Sequence, residues 1–175
     1  MWIRFIRLII KWLFFTKVED VFKEKKLTFR VGLTDIDYNL HLNNAKYLSF
    51  MDLGRFDLTF KCGLEKALIK NRWKVMAAAV NIIYRKQIGP FEKFELVTKI
   101  LCWDEKWFYI EQDFITKNGV AAKAIVKAGF IGKKLLNPQT VIEAMGRDDV
   151  SPIMPNYLEE LVQGEKDFIQ YTINN

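Results

Sequence analysis

The chain is poor in the residues that commonly mark a metal or redox site. It has 175 residues, with one His and two Cys among them. Cys62 and Cys102 lie far apart and form no CxxC pair, so the usual zinc arrangements lack ligands and a disulfide scaffold is not indicated. Such cysteine usage fits a reducing compartment, with both thiols as small apolar core residues. Four Pro and nine Gly are too few for a disordered or collagen-like chain. No repeat or low-complexity tract is visible. What remains is half hydrophobic and long enough for one domain with a real core.

The net charge of +6 is uneven. Residues 1–30 carry eight bases and three acids, whereas the other 145 residues carry nineteen bases and eighteen acids. A nearly neutral body argues against nucleic acid as a partner, which would need its own basic patch. An anionic membrane surface suits the basic N-terminal end.

Residues 1–16 form a separate piece. On a helix, Arg4, Arg7 and Lys11 share one stripe, and large apolar side chains from Trp2 to Phe15 cover the rest. The segment is shorter than a spanning helix, which needs roughly 20 apolar residues, and it lacks the cleavage site of a signal peptide. An interfacial helix at the inner face of a membrane fits best. The competing reading packs the same face on its own domain or on a second subunit. Lys17, Lys23, Lys25 and Lys26 follow and extend the basic surface.

The body, residues 17–135, reads as strand, long helix, then four strands. Leu27, Phe29, Val31 and Leu33 alternate with small or polar residues, the period of a half-buried strand. Residues 44–60 show helical spacing, with Asn43 or Asn44 able to cap the start. Gly54 inside that helix costs about 1 kcal/mol relative to Ala, which a close approach to a sheet would explain. Strands are expected at 75–88, 94–103, 107–116 and 120–132, running as one antiparallel meander. Ala122, Ala124, Val126, Ala128 and Phe130 should face inward. Asn118-Gly119 marks a hairpin, with both residues expected at positive φ. Residues 136–175 form a tail with short helices at 139–145 and 156–169. The fold class is α+β, an antiparallel sheet curled around one long central helix.

Chemistry concentrates between Thr34 and Tyr47. Asp35, Asp37, Asn39, His41, Asn43 and Asn44 gather at the entry to the long helix, where free N–H groups and the helix dipole favour developing negative charge. A carboxylate, an imidazole and carboxamides beside such donors could transfer an acyl group to water. The same residues could equally make turns, caps and a hydrogen-bonded core His.

The run Asp37-Tyr-Asn39-Leu-His41-Leu-Asn43-Asn44-Ala-Lys-Tyr47 resembles the D-x-N-x-H-x-N-N-x-x-Y signature of hot-dog-fold thioesterases, as in plant acyl-acyl-carrier-protein thioesterases. With Met51–Arg55, Tyr84–Lys86 and Leu101–Gln112, the chain looks like the thioesterase-like branch of the 4-hydroxybenzoyl-CoA thioesterase superfamily. The resemblance covers about residues 25–160 and implies a single hot-dog domain preceded by an extra N-terminal helix. It implies Asp37 as catalytic carboxylate, with Asn39 and His41 as polar catalytic partners. The backbone near Asn44 would act as oxyanion donor, and Asn43, Asn44, Tyr47, Arg85 and Gln87 would line the substrate. The plant enzymes carry a catalytic Glu where this chain has Gln87, which cannot act as a base, so that role falls to Asp37.

The expected activity is hydrolysis of an acyl thioester, acyl-CoA first, without metal or other cofactor. The expected assembly is a homodimer or dimer of dimers, cytoplasmic and peripheral to a membrane. The rival reading is a non-catalytic acyl-CoA or acyl-chain binding protein on the same fold. A dehydratase finds no support, since nothing resembles that family's His-containing motif.

Overall fold

Alternating apolar residues and one helix with a wide buried face build the domain in a computed structural model that describes residues 2–15 and 18–174. In chain order the elements are α1 (Trp2–Phe15), β1 (Lys25–Arg30), a 3₁₀ turn (Leu33–Asp35), α2 (Asn44–Lys61), α3 (Leu64–Asn71), β2 (Lys74–Tyr84), β3 (Lys93–Trp103), β4 (Phe108–Thr116), β5 (Gly119–Ile131), α4 (Pro138–Ala144) and α5 (Asn156–Asn174). Lys17, the division between residues 16 and 17, and the side chains of Leu13 and Phe15 lie outside the described residues.

The five-stranded antiparallel sheet has the order β1-β3-β4-β5-β2. Only β3, β4 and β5 run as a meander. The expected four-strand meander is therefore corrected: β2 pairs with β5 and becomes an edge, and β1 pairs with β3 at the other edge. β1 also ends earlier than expected. The alternation fails after Val31, and Leu33 turns outward in the 3₁₀ turn. β2 stops at Tyr84, after which the N–H groups of Arg85 and Lys86 both donate to the Ala121 carbonyl. α3, unanticipated, fills the link between α2 and β2.

The hairpin lies where Asn118-Gly119 placed it, with a different turn. Thr116 pairs with Gly119, so Lys117 and Asn118 are the central residues. Gly119 has φ 94° and Asn118 is not at positive φ. The register slips beside Ile115, as a bulge following such a glycine would make it.

The buried side of α2 packs on the sheet. Phe50 meets Phe94 edge-on at 5.0 Å between ring centroids, Phe94 meets Phe114 at 5.4 Å, and Tyr47 meets Phe114 at 4.7 Å. Ala122, Ala124, Val126, Ala128 and Phe130 of β5 are all buried, and the small residues let the helix lie close. A Cβ on Gly54 would fall 2.6 Å from Thr98 Oγ1 and 2.7 Å from Gln112 Nε2, so the chain has no room there for any side chain. Gln112 is fully buried and satisfied: its amide donates to the Met51 carbonyl and Thr98 Oγ1, and its oxygen accepts from Arg55. α4 docks through Val141 and Ile142, and α5 through Leu158 and Val162 against Cys102 and Tyr109.

α1 is divided between two surroundings. Leu8 and Trp12 are buried in the core, Trp12 stacks on Phe60 at 4.2 Å, and Trp12 Nε1 donates to the buried Asp57 at 2.9 Å. Arg4 leaves the expected cationic stripe and turns inward to Asp35, while Arg7 and Lys11 stay exposed. Trp2, Ile3, Ile6, Ile10 and Phe14 face outward. No helix among the described residues is long and apolar enough to cross a membrane.

Candidate active site

Residues 36–42 form a closed loop before α2. An antiparallel bridge joins Ile36 to Leu42, the Asp37 N–H donates to the His41 carbonyl at 3.1 Å, and the Leu40 N–H donates to the Asp37 carbonyl at 3.1 Å. Closing so tight a loop puts Leu40 at φ 58°, the left-handed region a branched side chain rarely adopts. The Leu42 N–H donates to the Ile88 carbonyl at 2.8 Å, which anchors the loop on the segment following β2. The Asn43 N–H donates to the Asp35 carbonyl at 2.9 Å, tying the loop's exit to its entry.

This geometry sets Asp37 beside His41. Asp37 Oδ1 accepts from the Asn39 N–H at 2.9 Å, and Oδ2 lies 3.7 Å from His41 Nδ1. Both side chains are only partly exposed, where a charge is less well screened than at an open surface. His41 Nδ1 is also 3.4 Å from the Leu42 carbonyl. The Asn39 residue lies exposed on the outside of the loop.

Asn43 is the N-cap: its side-chain oxygen accepts from the Ala45 N–H at 2.8 Å. Of the two cap candidates, Asn43 and Asn44, it is thus Asn43 that caps the helix. Asn44 then opens α2, so its N–H has no partner one turn back within the helix and stands at the positive end of the dipole.

Beside it a cleft is lined by His41, Asn44, Tyr47, Tyr84, Arg85 and Gln87, with Leu42 and Lys86. Five of the residues expected from sequence thus meet. Asp37, Asn39 and Asn43 are not in its wall; Asp37 stands beside it, its Oδ2 3.7 Å from the Nδ1 of His41, which is. Tyr47 is buried against the Tyr84 ring at 4.9 Å. Burial above all, with Tyr84 and Glu92 nearby, pushes its phenol up to about 12, so it stays neutral. Tyr84 and Lys86 complete the wall. Their signal was the Tyr84–Lys86 motif, whose outer members carried no assigned role. Among the described residues no group of three His, Cys, Asp or Glu could hold a metal ion.

Below the loop sits a buried carboxylate. Asp35 has a side chain 1% exposed and accepts from Arg4 Nη1 at 2.9 Å, Arg4 Nη2 at 2.6 Å and the Gly32 N–H at 2.9 Å. Burial works to raise its carboxyl, but the bonds from Arg4 and Gly32 outweigh it and hold the group below the usual carboxylate range.

Known proteins resemble this chain in sequence and in fold. The model of the thioesterase-like superfamily matches residues 31–153. Protein THEM6 of Xenopus laevis is 33% identical over 147 residues, covering 83% of this chain and 69% of that protein. Protein THEM6 of Danio rerio is 37% identical, covering 74% and 59% respectively. A probable thioesterase of Saccharomyces cerevisiae, YBR096W, is 26% identical and covers 74% and 59%. The chain therefore spans only about six to seven tenths of these relatives. Among solved structures, Staphylococcus aureus SAV2348, in complex with CoA, aligns at TM-score 0.64 with 15% identity over 81% of this chain and 96% of its own. The gentisyl-coenzyme A thioesterase BH1999 aligns at 0.59 with 20% identity, over 70% of this chain and all of its own. At such identities the likeness is one of fold, the hot-dog fold of a sheet wrapped on a central helix. With the family match spanning the loop, α2 and strands β2 to β5, the chain belongs to the thioesterase-like superfamily.

Proposed function

We propose that the chain hydrolyses acyl-CoA thioesters and that Asp37 activates the water. The observation that carries this reading is the loop itself, which holds Asp37 Oδ2 3.7 Å from His41 Nδ1 beside a cleft at the start of α2. Water oxygen bonds to the thioester carbonyl carbon as its proton passes to Asp37. The Asn44 N–H and the helix dipole stabilise the oxyanion. The C–S bond then breaks, and the thiolate takes the proton from Asp37, giving carboxylic acid and free thiol. Direct attack by Asp37, with a mixed anhydride that water cleaves, uses the same geometry. Asn39 and His41 orient the carboxylate or the water. Arg85 and Lys86 at the cleft supply positive charge for the CoA phosphates.

Thiol release from a panel of acyl-CoAs of graded length tests the reading. Hydrolysis of any member above the rate without protein supports it. Tight binding of acyl-CoA with no thiol release supports the second reading, an acyl-binding protein without turnover. Gln87 favours that reading, since it stands at the cleft where a carboxylate would supply a second base.

The site is proposed to work in a homodimer or a dimer of dimers. β2 is an edge strand with Val75, Val80, Ile83 and Tyr84 exposed, and an open apolar edge invites pairing with a second copy. Tyr84 also belongs to the cleft, so pairing there places the partner beside the substrate. Sedimentation should give a species of at least twice 20.6 kDa at micromolar concentration, and a single 20.6 kDa species in mild detergent overturns the assembly. A cytoplasmic location, at the inner face of a membrane, belongs to the same proposal.

A further inference from the structure

The candidate loop is held from below by a residue far away in sequence. Arg4 and Asp35 are separated by 31 positions, yet the guanidinium meets both carboxylate oxygens. Arg4 Nη2 also donates to the Arg30 carbonyl at the end of β1, at 3.1 Å, and the guanidinium carbon lies 4.8 Å above the Phe50 ring of α2. One cation therefore touches the strand that enters the loop, the base of the loop and the helix that leaves it.

Asp35 transmits this hold in two directions. Its carboxylate accepts from the Gly32 N–H and its carbonyl accepts from the Asn43 N–H, so it joins the loop's entry to the N-cap of α2. Asp37 is two residues away, and its partner His41 lies two residues before that cap.

Docking of α1 has other supports. Leu8 is buried, Trp12 bonds to Asp57 and stacks on Phe60, and Phe5 packs on Phe56 at 5.1 Å. A buried ion pair adds little net stability over apolar residues of similar shape, but it fixes geometry through bidentate bonds. A pair in this place thus acts on position more than on docking.

We propose that Arg4 of the N-terminal helix is a positioning residue for the active-site loop, acting through Asp35 to fix Asp37, His41 and the start of α2. The assignment rests on Asp37 acting on a thioester, and its test has one readout that does not.

Steady-state thiol release from a short acyl-CoA is measured for the full chain, Arg4→Ala, Arg4→Lys and Trp12→Phe, beside melting temperature and amide hydrogen exchange. Trp12→Phe is the control, because it loosens α1 without touching Asp35. Arg4→Ala should lower kcat by about 10- to 100-fold with KM changed less than about twofold. It should also speed exchange at the Asp37, Leu42 and Asn43 amides. Arg4→Lys should recover part of kcat, since an ammonium keeps the charge and loses the fork. Trp12→Phe should lower the melting temperature and leave kcat and those amides unchanged. The proposal fails if Arg4→Ala keeps both kcat and exchange. It fails equally if Trp12→Phe and Arg4→Ala lose activity in proportion to lost stability. If the wild-type chain releases no thiol, the thioesterase reading fails, and exchange at the three amides alone decides whether Arg4 holds the loop.

Discussion

Asp37→Asn is expected to lower thioester hydrolysis by roughly 10²–10⁴-fold, the usual share of a positioned base. The substitution is close to isosteric, and its side-chain oxygen can still accept from the Asn39 N–H, which Asp37 Oδ1 does at 2.9 Å. The loop also keeps its backbone closure, the Ile36–Leu42 bridge and the Leu42 bond to Ile88. Melting temperature should therefore stay near that of the wild type, which assigns the loss to chemistry. Asn cannot take a proton from water or attack the thioester. His41→Ala should cost less than Asp37→Asn if His41, 3.7 Å from the carboxylate, only orients Asp37 or the water. A KM preserved in Asp37→Asn would show that the acyl-CoA still binds and that the lost interaction belongs to the transition state. Turnover unchanged in a well-folded Asp37→Asn removes Asp37 from the mechanism and leaves activation of the water to another group of the site.

Local pattern reached some parts of this structure and not others. The helical spacing of Tyr47, Phe50, Met51 and Leu53 announced α2, and Asn43 capped it as an Asn before such a run should. The Ala alternation of β5 announced a sheet face close to a helix, and Gly54 marked where the two nearly touch. Sheet order was not legible in the same way. Whether β2 pairs with β3 or β5 is settled by long-range packing, and neither strand's own residues encode it. α3 escaped because its eight residues are mixed in character, and its ends rest on Gly63 and Arg72 in left-handed conformation. In the site, the loop residues were legible through their motif and their place before a helix. The Arg4–Asp35 and Trp12–Asp57 pairs were not, since they join residues 31 and 45 positions apart and no spacing rule connects them. They explain why a helix that looked detached from the domain is partly built into it.

The second large effect concerns the outward side of that helix, which we propose lies on anionic lipid. Trp2 and Phe14 are 78% and 73% exposed, and Ile3, Ile6 and Ile10 stand between them. Arg7 and Lys11 flank this face and are exposed, each able to contribute on the order of 1 kcal/mol near a charged leaflet. Removing residues 1–16 would not isolate the membrane contribution. It would strip Leu8 and Trp12 from the core, deprive Asp35 of Arg4 and deprive Asp57 of the Trp12 N–H, so a large loss of stability is expected. The triple substitution Ile3→Ser, Ile6→Ser, Ile10→Ser touches only exposed or outward positions and should leave the melting temperature nearly unchanged. The wild type should bind vesicles rich in phosphatidylserine, and the triple variant should bind them about 100-fold more weakly, as loss of roughly 1 kcal/mol of apolar burial at each position requires. Raising salt should weaken the remaining binding, because Arg7 and Lys11 act through screened charge. Hydrolysis of a short, water-soluble acyl-CoA should be the same in both proteins, since Arg4 and the loop it holds are untouched. Equal vesicle binding by the two proteins, or none by the wild type, would leave this apolar face to a protein partner and end the membrane reading.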